Sequence, residues 1–295
     1  MAWWCTGVRW RGGPSLGWFG EGKGERESPL GFGDVLAFRA LGARRCLGVW
    51  RGGRHTACPT GAVLGGRGTR AQCGECAAVD RAHSVAADTV AGDPRPYHVY
   101  LAWFGDGMVK VGITGVGRGS ARLLEQGAVA FTWLGRGPLM AARRAEELLR
   151  SALGVPDRIP YARKRAVRAE LPSAGERAGE LARAHATAVA LDLWPESLER
   201  LPCEVVDHAE VFGIADGIRG GGGGFSVVSE LVEGGVVAGT LVAAAGPDLH
   251  LLEAGGRGIV VDCRLLEGWR LERAPEGAVT SVPVKEMPAM QGGLF

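Results

Sequence analysis

The sequence predicts an α/β (α+β) protein with β-rich ends, a cysteine-rich module, and a central domain that joins a small antiparallel sheet to helices. Three observations predict it. Short aromatic and aliphatic runs divided by Gly-rich breaks occupy both ends of the chain. A tight hairpin sequence, HVYLAWFGDGMVKVGIT, begins at His98. Amphipathic stretches with helix-stop signals follow it. With 295 residues, 46% of them hydrophobic, the chain can bury one large core or several smaller ones.

Residues 1–45 carry WWCTGVRW, PSLGWFG and DVLAFRALG, in which apolar and polar residues alternate as in a meander of short strands. Residues 46–92 hold the cysteines Cys46, Cys58, Cys73 and Cys76. A two-residue gap lets the thiolates of Cys73 and Cys76 reach one ion from a tight turn, and Cys46 and Cys58 complete a tetrahedron. Four thiolates leave no open position, so the spacing predicts a structural zinc ion holding together a Gly-rich stretch with little core of its own. His55 lies a two-residue gap before Cys58, so a shell of three cysteines and His55, without Cys46, stays open. Cys5, Cys203 and Cys263 have no partner by spacing and are expected as ordinary buried residues.

The central domain is expected over residues 95–200. Strands from His98 to Phe104 and from Met108 to Thr114 flank Gly105-Asp106-Gly107. A two-residue turn pairs Tyr100 with Ile113 and puts Lys110 on the opposite face. A three-residue loop with a left-handed Gly107 pairs Tyr100 with Gly112 and puts Tyr100 and Lys110 on one face, with a gap over Gly112 where a phosphate could approach. A helical run containing Arg122 ends at Gln126-Gly127, a glycine cap. On a helix from Pro138 to Leu153, Ala142, Ala145, Leu149 and Leu153 form the buried stripe. Glu146 lies at the edge of that stripe, where a carboxylate needs a cation: a metal, or a salt bridge to Arg122 or Arg150. Glu147 points away, beside Arg143, Arg144 and Arg150. Ser173 and Glu176 form a capping box for a further helix, and Pro195 stops it.

Residues 201–280 return to the texture of the start, with FSVVSELV, VVAGTLVAA, DLHLLEA, GIVVDCRLL and GWRLE as strands. Pattern leaves open whether these pair with the N-terminal strands. The run Gly220 to Gly224 has no side chains to pack and is expected as a link. Residues 281–295 are expected as an extended tail.

The net charge of +2 is too small to make the whole chain a binder of polyanions, although Arg136 to Arg168 hold a local basic cluster. Arg outnumbers Lys heavily and Asn is absent, which reads as a coding bias. No stretch approaches the roughly 20 apolar residues of a membrane span, and the start lacks a targeting pattern, so a cytoplasmic protein with no membrane partner is expected.

On these residues the central segment resembles the GIY-YIG nuclease superfamily. HVY stands at its first motif and KVG at its second, with Arg122 at the helical arginine and Glu146 at the metal-binding glutamate. The resemblance implies nucleic acid as partner, DNA or RNA, and metal-dependent phosphodiester hydrolysis. Glu146 would hold Mg or Mn, Arg122 would stabilise the transition state, and Tyr100 would orient the attacking water. Gly112, Arg158, Arg163 and Lys164 would contact nucleic acid, with Asp157 near them. Lys110 departs from the pattern by replacing the second motif's tyrosine, and the asparagine that some members use is absent. The alternative function is a non-catalytic zinc-containing nucleic-acid-binding or interaction protein. KVGIT, RLLEQGA, AEELL and DRIPYARK, with the upstream cysteines, are also similar to an uncharacterised bacterial family, domain of unknown function 2797. The terminal QGGLF resembles the pentapeptide by which bacterial proteins dock on the replication sliding clamp, with Gln291, Leu294 and Phe295 as anchors.

Overall fold

The computed structural model describes residues 3–51, 54–82, 95–156, 158–214, 218 and 225–287. Asp157, the glycine run Gly220 to Gly224, and Gln291, Leu294 and Phe295 lie outside the described residues. The chain is mixed α/β and β-rich, and it divides into two compact units. Unit 1 is Met1–Thr89 with Gly220–Met287, and unit 2 is Val90–Arg219 with Pro288–Phe295.

Unit 1 begins with β1 (Trp4–Trp10), β2 (Pro14–Gly20), β3 (Gly24–Pro29) and β4 (Val35–Leu41). The cysteine module adds β5 (Val49–Arg51), β6 (Arg54–Thr56) and α1 (Gly74–Ala82). Unit 2 follows with β7 (Pro96–Trp103), β8 (Val109–Gly115), α2 (Ala121–Gln126), β9 (Ala130–Pro138) and α3 (Leu139–Leu153). It ends with α4 (Tyr161–Val167), α5 (Ala174–Val189), β10 (Glu199–Arg200), β11 (Val205–Asp207) and α6 (Ala209–Phe212). The chain then returns to unit 1 as β12 (Phe225–Val228), β13 (Val236–Ala245), β14 (Asp248–Leu252), β15 (Gly258–Asp262), β16 (Arg270–Arg273) and β17 (Val284–Glu286).

The two β-rich ends form one sheet of ten strands, in the order β17-β12-β15-β14-β13-β4-β16-β1-β2-β3. β4 hydrogen-bonds β13 on one side and β16 on the other, so an N-terminal strand lies between two C-terminal ones. Every residue of β15 is buried, and its GIVVD sequence lacks the alternation of a half-exposed strand. Each fully buried Val or Ile there contributes about 1.5–3 kcal/mol. The charged β3 forms one edge, and β17, within the segment expected as a tail, forms the other. Polar edges of this kind resist pairing with another chain.

Arg44 joins the separated parts of unit 1. Its side chain is 1% exposed. Nε donates to the Glu267 carbonyl at 2.7 Å and Nη2 to that of Arg264 at 3.0 Å. Nη1 donates to the carbonyls of Gly65 and Gly68 at 2.9 and 2.5 Å. A planar fork with five donors suits this set of four acceptors.

In unit 2, β7 lies between β8 and β9, and β10 and β11 pair with successive parts of β9. α3 and α5 pack on this sheet and on each other. Of the expected α3 stripe, Ala142, Ala145 and Leu149 are buried, whereas Leu153 at the helix end is half-buried and Leu139 joins the stripe at its start. The capping box at Ser173 forms in both directions, and α5 stops at Val189, earlier than the Pro195 signal. Cys203 is exposed, against the expectation of a buried thiol, whereas Cys5 and Cys263 are buried. Among the described residues no helix is long and apolar enough to cross a membrane.

Replacing Arg44 by Met is expected to destabilise unit 1 by roughly 2–4 kcal/mol, because the carbonyls of Gly65, Gly68, Arg264 and Glu267 lose the buried donor that joins them. Denaturant unfolding of the full chain measures this; a loss under about 1 kcal/mol would show that the carbonyls find other partners.

Candidate functional site

The hairpin takes the three-residue loop. Phe104 and Met108 close it, with Phe104 N donating to Met108 O at 3.0 Å and Met108 N to Gly105 O at 2.8 Å. Gly107 is left-handed, with φ of 63°. Tyr100 therefore pairs with Gly112 and Ala102 with Lys110, which puts Tyr100 and Lys110 on one face of the sheet.

That face is packed. Tyr100 is 2% exposed and clusters with Leu123 of α2, Phe131 of β9 and Phe104. A Cβ at position 112 would lie 2.4 Å from the Tyr100 hydroxyl oxygen and 2.5 Å from Cζ. The space over Gly112 thus holds the tyrosine ring itself, which corrects the expectation of a gap open to phosphate.

Gln126, the last residue of α2, links the polar groups. Its Nε2 donates to the Tyr100 hydroxyl at 3.0 Å, and its Oε1 accepts from Lys110 Nζ at 3.2 Å. Its carbonyl accepts from Lys164 Nζ at 3.0 Å. The left-handed Gly127 caps α2 at this point. In the sequence Gln126 reads only as the residue before a helix cap, and nothing in its spacing marks it as buried.

Arg122 and Glu146 both act on the same hydroxyl. Burial pushes the Tyr100 phenol above its ordinary value; the Gln126 hydrogen bond and the Arg122 charge pull it down, and the Glu146 charge pushes it up. Arg122 is exposed, and Glu146 and Lys110 are half-buried. Arg118 forks onto Glu125 at 2.8 Å, and Glu147 holds Arg150 at 2.6 Å, so both are engaged elsewhere.

Two of the residues expected at nucleic acid do not share an open groove beside Tyr100. Lys164 is 4% exposed, with its ammonium over the rings of Phe104 and Tyr161 at 3.7 and 4.6 Å; it closes the end of α2 and does not face solvent. Arg163, one position earlier on α4, is exposed and lines a different cleft with Trp103, Met108 and Val167. Arg158 is also exposed.

In unit 1, the sulfurs of Cys46, Cys58, Cys73 and Cys76 all lie within 4.8 Å of one another, an arrangement that could hold a metal ion such as zinc. The backbone amides of Cys73 and Gly48 point at the Cys46 sulfur, at 3.2 and 3.4 Å. Cys58 is held down to about 6, first by the Thr60 hydroxyl and then by the Ala62 amide, while burial raises Cys46 and Cys76. His55 is turned away from this cluster. Its Nε2 meets the Leu47 carbonyl at 2.6 Å, and its ring packs between Phe19 and Trp50 at 4.0 and 4.3 Å. Geometry therefore favours Cys46 over His55 as the fourth member. α1 starts within the CGEC segment, where a tight turn was expected.

The family described as protein of unknown function (DUF2797) matches residues 33–271. The chain belongs to the DUF2797 family. The DUF2797 match spans the four cysteines, Arg44, the whole hairpin and Glu146, and it leaves β1 to β3 and β17 outside. No curated protein and no solved structure matches the chain significantly.

In this DUF2797 chain Gly112→Ala is expected to cost about 1–3 kcal/mol by pushing the Tyr100 ring off the sheet. In a Tyr100→Ala background the same change is expected to cost little. A penalty that persists there, measured by denaturant unfolding, would mean that something other than the ring fills the space.

Proposed function

We propose that unit 2 binds the phosphodiester backbone of nucleic acid beside Tyr100 and hydrolyses it with a divalent ion at Glu146, as a GIY-YIG-like nuclease. The observation that supports this reading most is the convergence of Lys110, Arg122 and Glu146 on the Tyr100 hydroxyl, two of them directly by charge and one through Gln126. Glu146 is half-buried, and a single carboxylate of this kind suits Mg or Mn, which keep several waters. The ion would polarise the scissile phosphate and neutralise the leaving oxygen. Arg122 is exposed enough to meet a phosphate with its planar fork. Tyr100, raised by burial, stays protonated at neutral pH and would orient the water by hydrogen bonding, not take its proton. Lys110, held by Gln126, would add a point charge toward the phosphate.

One observation favours a second reading, in which unit 2 binds nucleic acid without cleaving it. Tyr100 is 2% exposed and its hydroxyl already has Gln126 as a partner. Incubation with duplex, branched and single-stranded DNA and with RNA, in magnesium or manganese, separates the two. Hydrolysis is expected to require the ion and to fall at least about 100-fold in Glu146→Ala. Equal cleavage by that variant rejects the role of Glu146. Salt-sensitive retention that weakens in Arg122→Ala, with no cleavage by wild type, selects the binding-only reading.

We further infer that the four cysteines hold a structural zinc ion. Zinc–sulfur bonds of about 2.3 Å place tetrahedral sulfurs about 3.8 Å apart, close to the 3.9 Å between Cys58 and Cys73. Elemental analysis is expected to find about one zinc ion per chain, lost in Cys46→Ser and retained in His55→Phe. Metal-free protein after gentle purification would reject the assignment.

A further inference from the structure

A cleft of about 430 Å³ opens in unit 1 between β1, the cysteine module and the turn that follows β15. Thr6, Arg9, Trp50, Arg70, Arg264 and Glu267 line it. Its size falls within the roughly 300–1,000 Å³ of small-molecule sites and exceeds the needs of a bare phosphate.

The charges in this cleft are unbalanced. Arg264 is forked onto Asp262 at 2.6 and 2.8 Å. Among the described residues Arg9 and Arg70 have no carboxylate within ion-pair distance, although both line the same cleft. Glu267 is the one carboxylate of the lining, and burial pushes it up to about 7 against the pull of Arg9 and Arg44. With Arg264 held by Asp262, Arg9 and Arg70 face the single carboxylate of the lining, so the cleft keeps an excess of positive charge that favours an anion, and planar forks match phosphate oxygens.

The backbone makes room for these groups. A Cβ on Gly7 would lie 2.5 Å from Glu267 Oε1, and one on Gly17 would lie 2.5 Å from Thr6 Oγ1 and 3.3 Å from Arg9 Nε. Bare positions on β1 and β2 thus let the carboxylate and the arginine lie against the sheet. Arg44 holds the carbonyls of residues 264 and 267 from beneath, and the Gln72 amide donates to the Gly48 carbonyl at 3.1 Å, so the walls are tied to buried structure. Trp50 supplies an aromatic wall whose ring is braced by His55 and by a hydrogen bond to Glu25.

We propose that this cleft binds a phosphorylated nucleoside, with Arg9 and Arg70 on the phosphate, Trp50 against the base, and Glu267 accepting a hydrogen bond from the sugar or base. An aromatic wall, an anion site and a buried acceptor within one cavity match the three parts of a nucleotide. The same chemistry is offered by a free nucleotide and by the 5′-terminal nucleotide of a strand. The site lies wholly in unit 1 and does not rest on the reading of Tyr100 and Glu146.

Calorimetric titration of the full, metal-loaded chain tests it. The probes are the four common nucleoside 5′-monophosphates, their nucleosides, inorganic phosphate, and a short oligonucleotide with and without its 5′-phosphate. At least one monophosphate is expected to bind about tenfold or more tighter than its nucleoside and than inorganic phosphate. Arg9→Gln and Arg70→Gln are each expected to weaken it about tenfold, whereas Arg67→Gln, which lies on another cleft, leaves it unchanged. Stronger binding of the oligonucleotide that requires its 5′-phosphate identifies the strand end as ligand; preference for the monophosphate identifies the free nucleotide. Inorganic phosphate binding as well as any nucleotide overturns the proposal. So does unchanged affinity in both arginine variants, or no binding by any probe at millimolar concentration. Arg70 is exposed, so its variant reads binding without a risk to folding.

Discussion

The fold of unit 1 depends on one buried cation. Arg44 reaches carbonyls that lie about twenty residues ahead and more than two hundred residues ahead, and it satisfies all four with one planar group. A guanidinium is weakly hydrated for its charge, so it can be buried where carbonyl dipoles replace the lost water. Through it the cysteine module is attached to both the N-terminal and the C-terminal strands. The same contacts hold the turn at residues 264–267, from which Arg264 and Glu267 enter the adjoining cleft. Strand packing, the attachment of the cysteine module and the polar cleft therefore share a single support in this unit.

Unit 2 is organised by a different device, a glutamine at a helix end. The Gln126 side chain joins Tyr100 to Lys110, and its carbonyl receives Lys164. A buried network of this kind is stable only when each member is satisfied, since an unpaired polar group in the core costs about 1–3 kcal/mol. Its consequence for chemistry is a compromise. The network that gathers these groups also covers the tyrosine, which leaves Arg122 exposed and Lys110 and Glu146 half-buried as the more accessible charges around it.

Local signals were legible wherever short-range physics is decisive. The capping box at Ser173, the glycine cap after Gln126 and the buried stripe of α3 each depend on residues within one or two turns, and each forms. Strand segments at both ends were legible from apolar runs. β3 and β17 were not, because edge strands carry polar side chains and owe their conformation to a neighbour's hydrogen bonds. β9 offered no hairpin or alternation signal, although it is the strand on which β7, β10 and β11 assemble. Lys164 looked like a groove residue because its helix is basic; helix phase turned it inward, onto two aromatic rings.

By itself the sequence determined the types of the main elements, the four clustered cysteines, and two discrete registers for the hairpin. Those follow from side-chain periodicity, turn chemistry and spacing, all of which act over a few residues. Only the tertiary structure decided that the two ends share one sheet, that Cys46 and not His55 completes the sulfur cluster, and that Tyr100 fills the space above Gly112. These outcomes depend on contacts between residues far apart in the chain, where packing and the satisfaction of buried polar groups select among alternatives that are locally equivalent.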